Sequence, residues 1–285
     1  MKFESPKGII ALDIDGTITP EAHAVAPQVI DFLSSLARSG WQMIFITGRP
    51  FQWSYQTLNV MPFSYILAVQ NGSLLIELPS KQIVVRKYLS NEIIPAMNEV
   101  CSQFKTDYII YSGLENHDIC YYRPDRMSQS LLEYVQRRSS TLKERYQAVE
   151  SFDGLPISVF SSVKCFADEP QAFALSHAIQ KLGLHAPPNL DPFDRNYFVI
   201  QGTHAEATKG LALKNFAKNF ADHIPIIAAG DDYNDLSMLE VADVKVVMAN
   251  GPRSLLDIAD IVAPSALVNG IIEGLQKAVV KAGEL

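Results

Sequence analysis

Asp13 and Asp15 stand two residues apart in the run Ile-Ile-Ala-Leu-Asp-Ile-Asp-Gly-Thr, Ile9 to Thr17. In an extended segment alternate side chains point the same way, so the two carboxylates can converge on one spot. Carboxylates held together repel, and their simplest partner is a hard divalent cation with oxygen ligands. Gly16 bends the chain there without steric cost. A second acidic concentration, Gly230-Asp231-Asp232-Tyr233-Asn234-Asp235, again follows an apolar run, and without a cation its like charges would cost stability. Thr47-Gly48-Arg49 adds a hydroxyl, a flexible glycine and a cation.

Each cluster has a plainer reading by itself. Asp-x-Asp-Gly-Thr can be a solvated turn, with Asp and Gly chosen for turn chemistry. An EF-hand loop fails, because Ile18 stands where that loop needs Gly and no Glu occupies its twelfth position. Thr47 to Arg49 alone is a strand-to-helix turn, and Lys209 alone is a solvated helix charge. A P-loop over Gly202 to Lys209 fails on spacing. Asn71, after a strand, is a weaker candidate for substrate contact. The three cysteines, Cys101, Cys120 and Cys165, lack metal-ligand or redox spacing and read as reduced, buried thiols of a cytoplasmic protein. The six histidines, His23, His117, His177, His185, His204 and His223, form no paired motif and read as surface or core residues.

The elements that must position these groups follow a regular order. Ile9 to Leu12, Trp41 to Ile46 and Tyr65 to Val69 read as buried strands, with helices over Pro27 to Ser39 and Phe51 to Leu58 between them. Strand and helix in alternation argue a parallel α/β sheet, and ligands bind at the carboxyl ends of such strands. Beyond residue 73 strands come in neighbouring pairs: a hairpin around Pro79-Ser80-Lys81, then Tyr108 to Tyr111 and Ile119 to Tyr122, then Ile157 to Phe166. Helices over Asn91 to Phe104, Ser128 to Arg138 and Pro170 to Leu182 separate them, the pattern of an α+β module. Residues 1–80, 81–190 and 191–285 are therefore expected to be core, inserted module and core, with Ala186-Pro187-Pro188 as the exit link. Alternation resumes with Tyr197 to Ile200, a helix over Ala205 to Phe220 carrying Lys209, the strand Ile224 to Ala229, and a closing helix over Ile271 to Lys281.

The chain has 285 residues, 48% of them hydrophobic and 19% charged, with net charge -7, so no basic field attracts nucleic acid or anionic lipid. No apolar run approaches the roughly 18–20 residues of a membrane-spanning helix, and the first run is too short for a signal peptide.

Asp-x-Asp-Gly-Thr, Thr-Gly-Arg, a lone Lys and Gly-Asp-x-x-Asn-Asp, in this order and on these elements, resemble the haloacid dehalogenase superfamily of phosphohydrolases. An insert between the second and third motifs is similar to the Cof-like branch with a C2-type cap. The resemblance implies a Rossmann-like parallel α/β core, an α+β cap, and Mg²⁺-dependent hydrolysis of a small phosphorylated metabolite, a sugar phosphate among the candidates. By that resemblance Asp13 is the nucleophile, Asp15 the general acid and base, and Lys209 a cation at the phosphoryl group. Thr47, Gly48, Arg49 and Asn234 would bind phosphate, and Asp13, the Asp15 carbonyl, Asp231 and Asp235 would hold the metal. Transfer to another sugar hydroxyl, as in the related phosphomutases, and non-catalytic sensing of a phosphometabolite are the alternatives. The run His204 to Thr208 departs from the Gly-Val-Ser-like turn common in that family before the lysine.

Overall fold

The computed structural model describes residues 6–20, 24–191, 193–220 and 224–284, so His23 and His223 lie outside the described residues. An eight-stranded sheet runs in the order Ile261–Ala263, Val244–Met248, Ile226–Gly230, Gly8–Leu12, Trp41–Ile46, Tyr65–Val69, Leu74–Leu78, Gln82–Arg86. The first six are mutually parallel and the last two add an antiparallel hairpin. All five residues of Gly8–Leu12 are buried, as a central strand covered on both faces requires. Pro27–Arg38 and Ile271–Ala282 pack on one face through Val29, Leu33, Ile271 and Leu275. Lys209–Ala217 and Leu236–Leu239 pack on the other through Ala212, Leu213, Met238 and Leu239. This α/β layering is what the alternating pattern implies.

A six-stranded sheet runs in the order Pro188–Leu190, Phe198–Gly202, Ser162–Ala167, Tyr108–Tyr111, Ile119–Tyr122, Arg145–Ala148. Helices Ile94–Gln103 and Glu169–Gln180 cover one face, where Met97, Cys101, Val163, Cys165 and Leu175 share a core. Gln129–Leu142 packs against the other through Leu131, Tyr134 and Val135, beside Ile109, Tyr111 and Phe166.

Three elements differ from the sequence reading. Gln82–Arg86, expected in the inserted module, instead pairs with Leu74–Leu78 at the edge of the eight-stranded sheet. Phe198–Gly202, expected in the parallel core, pairs antiparallel with Ser162–Ala167, Lys164 standing opposite Gln201. A five-residue strand carries no mark of its partner, and burying Ile200 among the covering helices decides it. Pro188, expected in a linker, instead opens the edge strand Pro188–Leu190, where its missing N–H is tolerated.

Candidate active site

Four neighbouring parallel strands end side by side, and each hands the chain to a polar group. Asp13 follows Gly8–Leu12, Thr47 follows Trp41–Ile46, Gln70 and Asn71 follow Tyr65–Val69, and Asp231 follows Ile226–Gly230. The clusters, up to 218 positions apart between Asp13 and Asp231, thus meet at one edge of the sheet, the ligand-binding edge of an open parallel sheet. Gly16, at φ +79°, makes the turn possible; a Cβ there would lie 2.1 Å from Asp231 Oδ2.

Lys209 arrives from the helix that follows the six-stranded sheet. Thr208 caps that helix, its hydroxyl accepting from the Leu211 amide at 3.1 Å, so the lysine sits in the first turn. Gly210 lets the turn press against Leu236–Leu239, because a Cβ would come within 2.2 Å of the Ser237 carbonyl oxygen. The buried ammonium donates to Asp13 Oδ1 at 2.5 Å and to Asp235 Oδ1 at 2.6 Å. Burial alone would lower the Lys209 pKa, but Asp13 and then Asp235 outweigh it and raise it above the usual value. Asp13 is pushed up to about 7, chiefly by burial, with Asp235 and Asp15 adding to the rise and Lys209 opposing it.

Asp231 accepts from Thr17 Oγ1 at 3.0 Å and Asn250 Nδ2 at 3.3 Å, and burial followed by its acidic neighbours raises its pKa well above the usual range. Asp13, Asp231 and Asp235 offer oxygens that all lie within 4.8 Å of one another. An all-oxygen, multiply charged donor set matches a hard divalent cation such as Mg²⁺. The roles within this group differ. Asp235 already gives Oδ1 to Lys209 and Oδ2 to the amides of Asp231 and Asp232 at 2.9 and 3.0 Å, so it organises the loop. The Asp15 side chain stands outside the group.

Asp15 is instead gripped by Arg49, whose Nε and Nη2 donate to its two oxygens at 2.6 and 2.5 Å. Arg49 Nη1 donates to Thr57 Oγ1 at 2.8 Å, and the guanidinium stacks 4.2 Å from the Trp53 ring centroid. Arg49 was expected to bind phosphate. Here its donors are engaged by protein groups, and the geometry is that of a residue that positions Asp15. Thr47 Oγ1 accepts the Arg49 amide at 3.1 Å, and Asn234 Nδ2 donates to Asn71 Oδ1 at 3.2 Å.

The six-stranded sheet closes over this floor. Lys164 Nζ donates to the Gly48 carbonyl at 3.2 Å, and Ser162 Oγ to Gln70 Oε1 at 2.7 Å. Gln201 donates to Gln70 Oε1 and accepts from Asn71 Nδ2 at 3.3 Å. The sequence reading passed over Ser162, Lys164 and Gln201. The available signal was polar residues at alternate positions of Ser-Val-Lys-Cys-Phe-Ala, a strand otherwise apolar. Of the other polar side chains on this sheet, Tyr121 lies in the helix-covered core, and Arg123 grips Asp107.

Comparison with known proteins agrees with this arrangement. YxeH of Bacillus subtilis is 23% identical over 275 residues, covering 95% of this chain and 98% of its own. Pyridoxal phosphate phosphatase YbhA of Escherichia coli is 26% identical, with 89% and 92% covered. The solved structure of BT4131, described as a HAD subclass IIB sugar phosphatase, superposes with a TM-score of 0.72 at 17% identity, covering 95% of this chain and 98% of that one. The haloacid dehalogenase-like hydrolase family matches residues 10–275, which takes in all four motifs and both sheets. The chain belongs to the haloacid dehalogenase-like hydrolases.

Proposed function

We propose that this hydrolase is a Mg²⁺-dependent phosphomonoesterase that cleaves small phosphorylated metabolites through an aspartyl-phosphate. The observation that carries the reading is Asp13, buried at the sheet edge, bonded to Lys209 and flanked by Asp231. Its carboxylate oxygen attacks phosphorus, forming the Asp13–phosphoryl bond as the ester bond breaks. Asp15, held in place by Arg49, gives a proton to the leaving oxygen. It then takes one from the water that cleaves the acyl phosphate. The Thr47 hydroxyl, the Gly48 amide and the Asn234 side chain would donate hydrogen bonds to the phosphoryl oxygens, and Lys209 would balance their charge. When bound by Asp13, Asp231 and the Asp15 carbonyl, Mg²⁺ would supply positive charge where the phosphoryl oxygens gain negative charge. The roof excludes bulk water from the phosphoenzyme.

Small substrates fit a floor roofed at van der Waals range and an acidic chain without a basic field. YbhA is named a pyridoxal phosphate phosphatase and BT4131 a sugar phosphatase, which supports that class. The three cysteines are free and buried, consistent with a cytoplasmic setting. The test is phosphate release from para-nitrophenyl phosphate with Mg²⁺ or EDTA, for wild type and Asp13→Asn. Release should need the metal and vanish in the variant. Isomerised sugar phosphate without free phosphate would replace hydrolysis with transfer, and inactivity across a phosphometabolite panel would remove catalysis altogether.

A further inference from the structure

Five cationic side chains are buried among the described residues: Arg49, Arg123, Arg138, Lys164 and Lys209. Four of them hold carboxylates. Arg49 holds Asp15, Arg123 holds Asp107, Arg138 holds Glu144 and Asp191, and Lys209 holds Asp13 and Asp235. Lys164 pairs with none of the described carboxylates. Its ammonium makes one hydrogen bond, to the Gly48 carbonyl, and lies 4.5 Å from the Tyr111 ring centroid. Burial, and then Arg138, lower its pKa to about 8 against the opposing pull of Glu144 and Asp191, which leaves it mostly charged at neutral pH. A buried charge with no carboxylate in direct contact is costly, and an apolar residue would pack at that position without the penalty.

The surroundings make the same point. Lys164 stands between Ile109 and Gln201 on the sheet face turned to the catalytic loop, a face it shares with Phe166 and Tyr111, and Arg138 and Glu144 act on it only through space. Below it Gln70, buried like its partners, uses Oε1 twice and leaves Nε2 with no partner. A cation without a carboxylate partner and an amide without an acceptor thus both lie where the roof meets the floor. Both are donors, so the group that completes them is an acceptor with negative charge.

We infer that Lys164 receives a second anionic group on the leaving half of the substrate, a carboxylate or a further phosphoryl. The preferred substrates are then phosphate esters of acids or bisphosphates, with neutral phosphorylated alcohols and sugars disfavoured. On binding, the ammonium exchanges the Gly48 carbonyl for that anion as the roof lifts. This rests on the phosphatase reading and narrows it.

The matched probes are 3-phosphoglycerate and glycerol 3-phosphate, which differ by a carboxylate in place of a hydroxymethyl group. Wild type should prefer the first by at least tenfold in kcat/KM. Lys164→Met should bring the ratio near one and Lys164→Arg should restore it, with Lys164→Gln standing in where the methionine variant does not fold. A wild-type ratio near one, or the same ratio in every variant, overturns the assignment. Equal losses on both probes also overturn it, since they mean that Lys164 serves the transferred phosphoryl or the fold. Calorimetric binding of the same pair to Asp13→Asn protein separates the two inferences. Preference in binding without turnover in wild type removes the phosphatase reading and supports Lys164 as the anion site. Turnover without preference removes the Lys164 assignment alone.

Discussion

Replacing Arg49 with Met should uncouple the position of Asp15 from the floor while leaving the phosphoryl site in place. The pair is joined by two charge-assisted hydrogen bonds, at 2.6 and 2.5 Å, with Arg49 buried and the Asp15 side chain 19% exposed. Bonds of this kind contribute roughly 1.5–3 kcal/mol each, and the partial exposure of Asp15 reduces the sum. A coupling energy of about 2–4 kcal/mol follows, roughly 30- to 1000-fold at 1.36 kcal/mol per decade. The assay is a double-mutant cycle of Arg49→Met and Asp15→Asn followed by urea unfolding. The kinetic side uses the same proteins. A residue that acts through the proton-transfer group should lower kcat by about 10- to 1000-fold, within the range of general acid–base catalysis. Inhibition by orthophosphate should change by less than about threefold, because Arg49 donates to protein groups and not to the phosphoryl. A coupling energy below about 0.5 kcal/mol would refute the pairing. A tenfold weakening of orthophosphate with kcat intact would return Arg49 to direct phosphate binding.

Gly210→Ala places a methyl 2.2 Å from the Ser237 carbonyl oxygen, and the resulting overpacking should cost about 1–3 kcal/mol in urea unfolding and displace Lys209 enough to depress turnover. An unchanged midpoint would mean that the two helices yield freely. Asp118, whose carboxylate accepts the Gln52 amide at 2.8 Å, has its pKa raised to about 6, mainly by burial. Unfolded, it ionises near 3.9, so between about pH 4 and 6 the folded chain holds the extra proton, and stability falls as pH rises through that window. Asp118→Asn should flatten that slope and add about 2 kcal/mol at pH 8, and a slope identical to wild type would exclude Asp118 as its source. Millimolar Mg²⁺ should raise the melting temperature, by about 2.7 kcal/mol of added stability at a hundred times Kd, and Asp231→Asn should abolish the shift. An equal shift in the variant would put the cation elsewhere.

The acidic floor was legible in sequence because each of its groups directly follows a buried strand. Strand ends converge wherever such strands lie parallel, so Asp13, Thr47 and Asp231 could be grouped without coordinates. Asp235 and Asn234 came along because the short turn Tyr233–Asp235 fixes them beside Asp231. What could not be read was pairing at long range. Lys164 meets Gly48 across 116 positions, and only the antiparallel pairing of Ser162–Ala167 with Phe198–Gly202 sets Gln201 beside it. The pairing of Arg49 with Asp15 was hidden for a related reason. The arginine's type and place suit phosphate, but Trp53, Thr57 and Asp15 surround the guanidinium first, and local motif order does not reveal that enclosure. Phe198–Gly202 shares the limitation, since five mostly apolar residues fit either sheet.

The contact between Lys164 and Gly48 has a consequence for timing. With 3.2 Å between donor and acceptor, nothing passes between Lys164 Nζ and the Gly48 carbonyl while that contact stands. The large sheet connects to the roof through the segment after Gln82–Arg86 and that before Lys209–Ala217, so parting that contact would bend those two stretches of chain together. On the proposed two-step chemistry, each turnover would then contain two mechanical excursions besides its chemical steps. Solvent friction, which leaves bond breaking alone, should slow the catalytic cycle to the extent that those excursions limit it.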